Sequence, residues 1–350
     1  MLRRSKYIDI LLATIVFLAT LVALLFIVNS TSTDSYIKIE EVIVSKKVPQ
    51  KIHLSFVGDI MLDRSIRNKV NKLWGGDYHK VFENADFLKE PDLMFANLEG
   101  PVSERGANVG SIYSFRFDPV VFSVLKDVGF DVLSMANNHI GDWGRLALED
   151  TITLGKEQGF EMVGGGIGYE DAIKPEIHEV KGLKVGYIGF SDFGPASVLL
   201  SGEMGEMGIL ADLADATGVL KAGVLSASDP NLPTIIADAK KQVDILVVSF
   251  HFGDEYQPRS NTRQQRFAHT SIDAGADIVV GHHPHVEQET EEYKGGLIAY
   301  SLGNFVFDQY FSKETMRGMK LDVVVTKQGI ESFSTSTIQL NSNYQPSVLD

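Results

Sequence analysis

Five short apolar runs in this chain each end in side chains that can bind a metal ion, and this pattern constrains the fold most. The runs are rich in β-branched residues, which is typical of buried strands. The polar residues that follow them are Asp59, Asn97 with Glu99, Asn138 with His139, His251, and His283 with His285. Helical spacing marks much of the chain between them, at residues 63–73, 78–88, 119–128, 143–158, 231–242 and 259–274. This alternation predicts an α/β fold or a four-layer αββα body, with ligands at the carboxyl ends of the strands.

The densest of these strand ends is Gly281 to Val286, which reads GHHPHV. Pro284 fixes the backbone between His283 and His285, so an irregular turn aims both imidazoles at one point. Neutral imidazole is the commonest metal ligand in proteins, but two imidazoles do not complete a site. The remaining ligands must therefore come from the other strand ends.

The mixture of carboxylate, amide and imidazole side chains suits two divalent cations. Ions about 3.5–4 Å apart need a bridging carboxylate, while imidazole and amide donors complete each shell without excess negative charge. The chain has no cysteine, which excludes disulfides and thiolate sites. Oxygen and nitrogen ligands favour Mn²⁺, Fe, Zn²⁺ or Mg²⁺. Such a pair activates a bridging water and clamps a tetrahedral anion, and His139 beside it is predicted to protonate a leaving oxygen.

The charge of the chain limits its partners. A net charge of −14 over 350 residues argues against nucleic acid, because nucleic-acid binders need a basic face. An anionic substrate is also repelled at long range unless bound metal ions reverse the local potential.

The N-terminal segment has the pattern of a membrane span. Arg3, Arg4 and Lys6 precede an apolar run from Ile10 to Val28, which as a helix is long enough to cross about 30 Å of hydrocarbon. The positive-inside rule places the N-terminus in the cytoplasm and everything after Asn29 outside the cell membrane. A cleaved signal peptide is the alternative.

The chain is accordingly divided into a tail and transmembrane anchor at residues 1–29, a linker at 30–50 and a folded domain at 51–345. Within the domain, residues 173–190 are predicted to form a β-hairpin. Residues 194–229 are rich in Gly, Ala, Met and Leu without a firm period, and are predicted to be a mobile insertion or short helix near the site.

Six motifs occur between residues 54 and 308: Gly58-Asp59-Ile60-Met61, Asn97-Leu98-Glu99, Ala136-Asn137-Asn138-His139, His251-Phe252-Gly253-Asp254-Glu255-Tyr256, Gly281-His282-His283-Pro284-His285-Val286 and Tyr300-Ser301-Leu302-Gly303-Asn304-Phe305. In this order they resemble the CapA family of capsule biosynthesis proteins, called PgsA in poly-γ-glutamate producers. That family is a branch of the calcineurin-like metallophosphoesterases. The resemblance implies an αββα metallophosphatase-like sandwich and a membrane-anchored role in making or exporting poly-γ-glutamate.

The resemblance also implies a role for each position. Asp59 corresponds to the first Asp of the superfamily, Glu99 or Asn97 to the bridging acid, and Asn138 and His139 to the Asn-His pair. His251 corresponds to the single strand-end His, and His283 and His285 correspond to the final His-x-His. Met61 stands where phosphatases of the superfamily have a histidine. Its thioether is a weak ligand for hard cations, so one metal position lacks a usual ligand.

We predict supporting roles for two residues near the predicted ligands. Arg64 follows the first motif and is predicted to clamp a carboxylate or phosphate with its planar fork, the alternative being a surface arginine at a helix start. In an extended backbone His282 points away from His283, so we expect it behind the metal ligands rather than among them.

Three functions fit these features. The first is a membrane-anchored component of capsule synthesis that acts on an anionic polymer together with other membrane proteins. The second is an extracytoplasmic metal-dependent phosphoesterase with a phosphate-ester substrate. The third is a non-catalytic assembly factor, which Met61 favours, so the sequence leaves open whether the chain is an enzyme.

Overall fold

The computed structural model describes residues 14–25, 50–193, 199–200 and 222–349. The chain divides into two units, Met1–Pro49 and Gln50–Asp350. In the first unit residues 14–25 form a helix with exposed side chains, and the rest of the predicted span lies outside the described residues. None of the helices in the described ranges is both long and apolar enough to cross a membrane.

The second unit is rich in strands, which in chain order are β1 Ile52–Ile60, β2 Leu93–Leu98, β3 Val132–Ser134, β4 Glu161–Val163, β5 Gly165–Gly166, β6 Glu176–Val180, β7 Leu183–Ser191, β8 Leu199–Leu200, β9 Gly223–Leu225, β10 Ile245–His251, β11 Ile278–His282, β12 Thr290–Tyr293, β13 Gly296–Ala299, β14 Asn304–Val306, β15 Arg317–Thr326, β16 Gly329–Leu340 and β17 Pro346–Val348. The helices are α1 Arg64–Trp74, α2 Val120–Val128, α3 Arg145–Glu157, α4 Tyr169–Ala172, α5 Leu232–Lys240 and α6 Thr262–Asp273, with 3₁₀ turns at Tyr78–Phe82 and Asp86–Lys89.

Two mixed sheets form the body of this unit. The first has the strand order β17-β16-β15-β1-β2-β3-β4, with β14 paired to β1, and the second has the order β12-β13-β11-β10-β7-β6. Strands β1 to β4 are mutually parallel, as are β7, β10, β11 and β13. Because the carboxyl ends of parallel strands meet at one edge, each sheet gathers several strand ends there.

Apolar side chains between the two sheets form the central core. Phe56 and Phe95 of the first sheet belong to the same buried cluster as Tyr187 and Val247 of the second. The rings of Phe95 and Tyr187 stack across the interface with centroids 6.0 Å apart, a contact that contributes about 0.5–1.5 kcal/mol beyond area burial.

Helices cover the outer face of each sheet. The cluster on the first sheet includes Ile66 of α1 and Leu125 of α2, while that on the second includes Ile236 of α5 and Phe267 of α6. The layers therefore run helices, sheet, sheet, helices. This mixed α/β architecture with parallel strands confirms the predicted α/β class.

Local signals explain where the helices begin and end. The Asp63 side chain accepts a hydrogen bond from the Arg64 amide at the start of α1, and Gly75 ends that helix in a left-handed conformation. Asn261 and Gln264 form a reciprocal capping box at the start of α6.

Two segments differ from their predicted structure. The prediction of a helix over residues 78–88 is wrong, because the chain there forms two 3₁₀ turns. Between these turns the Ala85 amide donates to the Phe82 carbonyl at 2.9 Å. Most of residues 194–229 lies outside the described residues. Within it Gly223–Leu225 is strand β9, which pairs with β5 and β8 in a small third sheet.

A close backbone approach fixes the end of β1. A Cβ atom at Gly58 would lie 1.9 Å from the carbonyl oxygen of Gly303, so only glycine fits there. The next amide, that of Asp59, donates to the same carbonyl at 3.0 Å. This contact holds the Asp59 carboxylate at the carboxyl edge of the first sheet.

Candidate metal centre

The predicted ligands lie where the carboxyl edges of the two sheets meet. The first sheet supplies Asp59 from β1, Glu99 after β2 and Asn138 after β3, and the second supplies His251 from β10 with His283 and His285 after β11. Direct side-chain contacts join the two sets, as the distances below show.

One group of donors consists of Asp59, Glu99 and His285, which are all buried. One ligand atom from each lies within 4.8 Å of the other two. His285 Nδ1 is 3.4 Å from Asp59 Oδ2, and His285 Nε2 is 3.7 Å from Glu99 Oε1. Two carboxylates and one imidazole in this space suit a divalent cation.

A second group surrounds His251. Its Nε2 atom lies 2.8 Å from Asn138 Oδ1 and 3.1 Å from His283 Nδ1. Glu255, His283 and His285 also form a group with ligand atoms within 4.8 Å of one another. The group of Glu255, His283 and His285 shares His285 with the group of Asp59, Glu99 and His285. These two groups also adjoin one another, because the His283 amide lies 3.4 Å from Asp59 Oδ2.

The turn after β11 has the irregular backbone that the sequence predicts. His283 and His285 both have positive φ values, 98° and 58°, a conformation that costs about 1–3 kcal/mol at a residue other than glycine. Neighbouring contacts hold it, because Pro284 O accepts the Tyr256 amide at 2.8 Å and Asn304 Oδ1 lies 3.0 Å from His285 Nδ1.

Burial and mutual charge set the protonation of the donors. Burial, with the nearby His285, lowers the pKa of His283 to about 3, and burial with His283 holds the pKa of His251 well below its ordinary value. Both imidazoles are therefore neutral at pH 7, the form that binds metal. Burial and the Asp59 carboxylate raise the pKa of Glu99 well above its usual range.

Asp59 behaves oppositely. Burial opposes its ionisation, but hydrogen bonds and charge interactions with His282 and His285 outweigh burial and hold the pKa of Asp59 well below its ordinary value. A carboxylate that stays ionised beside a second carboxyl is a strong acceptor for a cation.

Buried polar atoms without hydrogen-bond partners test whether metal ions fit this site. Within the described part of the chain, Glu99 Oε1, His251 Nδ1 and His282 Nε2 are such atoms. Glu99 Oε1 lies between two imidazoles without bonding either, 3.7 Å from His285 Nε2 and 3.9 Å from His139 Nε2. These distances are too long for hydrogen bonds, and a buried oxygen that faces ring nitrogens across them fits a cation bound between the oxygen and the nitrogens.

Two predicted residues hold the ligands in place. Asn97 donates to Asp59 Oδ1 at 2.9 Å and to Glu99 Oε2 at 3.4 Å, and its oxygen accepts from Asn137 at 3.1 Å. Both ends of the amide are thus engaged, which favours an orienting role over ligation. His282 Nδ1 lies 3.1 Å from Asp59 Oδ1, so His282 contacts a predicted ligand.

Met61 directly follows β1 and is fully buried. Its sulfur accepts the Asp63 amide at 3.2 Å, and its side chain is fully buried in the core beneath α1. A thioether is also a weak ligand for hard cations.

His139 stands beside the donors with a partner that sequence reasoning missed. Its Nδ1 atom lies 2.8 Å from Asp142 Oδ2, and the Phe115 amide donates to the same oxygen at 2.8 Å. The rings of Phe115 and His139 are 4.1 Å apart. A carboxylate three residues after a candidate catalytic histidine was the available signal.

A cavity of about 320 Å³ opens beside these groups, lined by Arg64, His139, Glu255, Tyr256 and His285 among others. The Arg64 guanidinium forms a two-pronged ion pair with Asp308, with Nε 3.2 Å from Oδ2. It also lies 5.2 Å from the centre of the Phe115 ring. The predicted anion clamp is thus at the wall of this cavity, held there by Asp308.

Comparison with known proteins agrees with the resemblance seen in the motifs. The sequence model of the family described as "Bacterial capsule synthesis protein PGA_cap" matches residues 53–309. The chain is 36% identical over 278 residues to "Capsule biosynthesis protein CapA" of Bacillus anthracis, covering 77% of this chain and 63% of that relative. It is 35% identical over 292 residues to "PGA biosynthesis protein CapA" of Bacillus subtilis (strain 168), covering 82% and 71%.

Two further similarities are more distant. A "Probable polyglutamine synthesis accessory protein" of Mycobacterium tuberculosis is 28% identical over 234 residues, which is 67% of this chain and 59% of that protein. The crystal structure of a hypothetical protein from Thermus thermophilus overlaps 82% of this chain and 99% of its own, with a TM-score of 0.49 and 16% identity.

The match to the capsule family includes all the strand ends that carry the donor groups described above. The chain spans less than two thirds of the length of the Bacillus anthracis relative, so the similarity concerns the domain rather than everything those proteins do. By its family-model match and its identity to the two Bacillus proteins, this chain belongs to the PGA_cap family of bacterial capsule synthesis proteins, of CapA type.

Proposed function

We propose that this chain is a membrane-anchored component of poly-γ-glutamate synthesis or export, and that its metal centre acts on an anionic substrate. The observation that carries the proposal is the convergence of donors from both sheets beside a cavity that also contains a carboxylate-held histidine. The relatives' printed names, which refer to capsule, PGA and polyglutamine synthesis, support the polymer.

Six residues are proposed to hold two divalent cations, drawn from Mn, Fe, Zn or Mg: Asp59, Glu99, Asn138, His251, His283 and His285. Bound ions of this kind supply a Lewis acid and an acidified water at neutral pH. Asn97 and His282 keep the carboxylates of Asp59 and Glu99 oriented through the contacts described above. Glu255, which is exposed, completes the donor set on the cavity side.

His139 and Arg64 are proposed to act on the substrate itself. Hydrogen bonding of Nδ1 to Asp142 leaves His139 Nε2 as the atom that gives or takes a proton at a substrate oxygen. Arg64 orients an anionic group of the substrate, because Asp308 holds its guanidinium at the cavity wall. The Phe115 ring packs against both side chains and limits their movement.

The remaining parts of the proposal concern fold type and location. The order of layers and the edge position of the donors support a four-layer αββα sandwich of the metallophosphatase type. We further propose that residues 1–29 comprise a cytoplasmic tail and a membrane anchor, that 30–50 form a linker, and that the domain from 51 lies outside the cell membrane. Capsule-synthesis membrane proteins are its proposed partners there.

Complementation of a strain that lacks the corresponding gene tests this function. The wild-type full-length chain is expected to restore cell-associated poly-γ-glutamate, while His283→Ala is expected to lose most of that ability at equal protein level. His178→Ala changes a partly exposed histidine on β6 and is the matched control. Restoration of normal polymer by a variant shown to lack metal would contradict a metal-centred role.

An extracytoplasmic phosphoesterase is the second candidate, and the His139–Asp142 pair favours it because protonation of a leaving oxygen is what such an enzyme needs. Turnover of a generic phosphodiester by the metal-loaded protein would support this candidate. The weak ligand character of the Met61 thioether favours the third candidate, a non-catalytic assembly factor. That role predicts bound metal, restored polymer and no turnover of any ester.

A further inference from the structure

A second groove adjoins the cavity of the metal centre. It has a volume of about 570 Å³ and lies between the segment from Tyr310 to Arg317 and the residues that end β16. Tyr310 and Phe311 line both this groove and the metal-centre cavity. The two spaces are therefore neighbours on one surface.

This groove differs from the rest of the molecule in its charge. The whole chain carries a net charge of −14, yet Lys313 and Arg317 line the groove and none of its lining residues is acidic. Lys69 stands at its edge, where Nζ donates to the carbonyl of the groove residue Ser342 at 2.8 Å. We call this cavity, with Lys313 and Arg317 in its lining and Lys69 at its edge, the basic groove.

These three cations lack the close acidic partners that most basic side chains in the described ranges have. Arg263 pairs with Asp192 and Lys181 with Asp92, for example. No carboxylate in the described ranges lies within 4.0 Å of the charged nitrogens of Lys69, Lys313 or Arg317. The Arg317 Nε donates instead to the neutral Gln339 at 3.1 Å, which leaves the positive charge of its guanidinium uncompensated at close range.

The nearest acidic side chains lie in a separate cavity. Glu287 and Glu314 line a space of about 510 Å³ that shares Phe311 and Arg317 with the basic groove. Both carboxylates interact electrostatically with Arg317, and Glu314 also interacts with Lys313, but neither carboxylate lines the basic groove.

Large apolar side chains connect the basic groove to the metal centre. Tyr310 is 74% exposed and Phe311 is 64% exposed, values that mark a contact surface rather than core packing. A chain with aliphatic spacers between its charges can lie across these rings and present its anions to cations on the far side. Single exposed ion pairs are weak, so only a ligand with repeated charges gains much from three dispersed cations.

We propose that the basic groove is a binding site for a polymer that carries a carboxylate on every repeat, and that it leads the polymer across Tyr310 and Phe311 to the metal centre. This inference rests on the proposed function in naming an anionic polymer as the substrate. It also accounts for how an acidic protein binds an acidic chain, because the groove itself is lined by cations and by no carboxylate.

Binding of the full-length protein to fluorescent poly-γ-glutamate of about 20 residues tests the inference. The Lys313→Gln/Arg317→Gln double variant is expected to bind about tenfold more weakly than wild type at low salt. Lys184→Gln/Lys327→Gln is the matched control, since these exposed lysines lie at the opposite edge of the sheets and remove the same charge. The control is expected to bind like wild type.

The measured outcomes separate this inference from the proposed function. Unchanged metal content with weakened polymer binding in the double variant would support the basic groove. Equal binding by wild type and double variant, or equal weakening by the control, would overturn it. Stronger binding of inorganic polyphosphate than of poly-γ-glutamate would also overturn the carboxylate assignment. If polymer binding depends on the basic groove but the protein holds no metal, the inference survives and the metal-centred function fails.

Discussion

The Nδ1 atom of His139 lies 2.8 Å from Oδ2 of Asp142, and this contact determines which nitrogen of the imidazole faces the cavity. The same carboxylate oxygen accepts the Phe115 amide, so Asp142 is itself fixed by the backbone. Asp142 is 4% exposed, which shields the pair from competing water. His139, which lines the cavity, is thus supported by a residue that does not line it.

Replacing Asp142 with asparagine tests that support. An amide keeps the size of the side chain but favours the wrong tautomer of His139, so we expect kcat for a phosphodiester to fall about 10- to 100-fold. KM and bound metal should not change. The exposed Asp127→Asn is the control, and a loss of metal in D142N would show that Asp142 serves the ligands instead.

Removing an imidazole from the donor set should remove metal. In His283→Ala, His251 loses its neighbour at 3.1 Å, and we expect the protein to retain about one ion fewer per chain. Elemental analysis of dialysed protein measures this, with His178→Ala as control. Identical metal-to-protein ratios in wild type and H283A would exclude His283 as a ligand.

Metal removal should destabilise the protein, because ions that bind only the folded chain stabilise it. An ion at about 1,000 times its Kd stabilises a folded chain by about 4 kcal/mol, so we expect a chelator to lower Tm by about 10 °C. Adding Mn²⁺ back should restore Tm. Glu99→Gln removes a proposed carboxylate ligand and should reduce the effect of the chelator, whereas an equal fall in both proteins would argue against Glu99 as a ligand.

Asp322 offers a test of pH dependence far from the centre. Burial opposes its ionisation, but Lys320, Ser55 and His53 outweigh burial and lower the pKa of Asp322 below 3.8. Lys320 is 8% exposed and donates to this carboxylate at 2.6 Å. At pH 7 we expect Asp322→Asn to lower the free energy of unfolding by about 2–4 kcal/mol, since it leaves a buried cation unpaired.

The sign of the pH effect follows from the lowered pKa. Asp322 stabilises the fold fully above about pH 4, and that contribution is lost as pH falls through its folded-state pKa. The difference between wild type and Asp322→Asn in urea unfolding should therefore shrink in acid. A Lys320→Met/Asp322→Leu double variant should be closer to wild type at pH 7. A difference that grows in acid would contradict this account.

Strand positions and strand ends were predictable because both depend on short-range patterns. The hairpin predicted over residues 173–190 is confirmed by the antiparallel pair β6 and β7. Apolar spacing cannot separate an α-helix from successive 3₁₀ turns, which explains the error at residues 78–88. The donor residues were identifiable because each lies at or shortly after the carboxyl end of a strand, and their roles as ligands remain predictions.

The supporting contacts were harder to predict because they join distant parts of the chain. Asp308 pairs with Arg64 across 244 positions, and Asn304 approaches His285 from a separate strand. Asp308 has no local sequence signal, and Asn304 lies in the sixth motif but nothing in that motif identifies His285 as its partner. The basic groove was also not visible, because Lys69 and Arg317 are near one another only after α1 and β15 have packed.

The division of the donors between two sheets has a mechanical consequence. Asp59, Glu99 and Asn138 belong to one half of the sandwich, and His251, His283 and His285 belong to the other. An ion held by both sets would join the two sheets and resist sliding of one sheet over the other. We expect amide hydrogens along β1 and β10 to exchange with solvent more slowly once metal ions are bound.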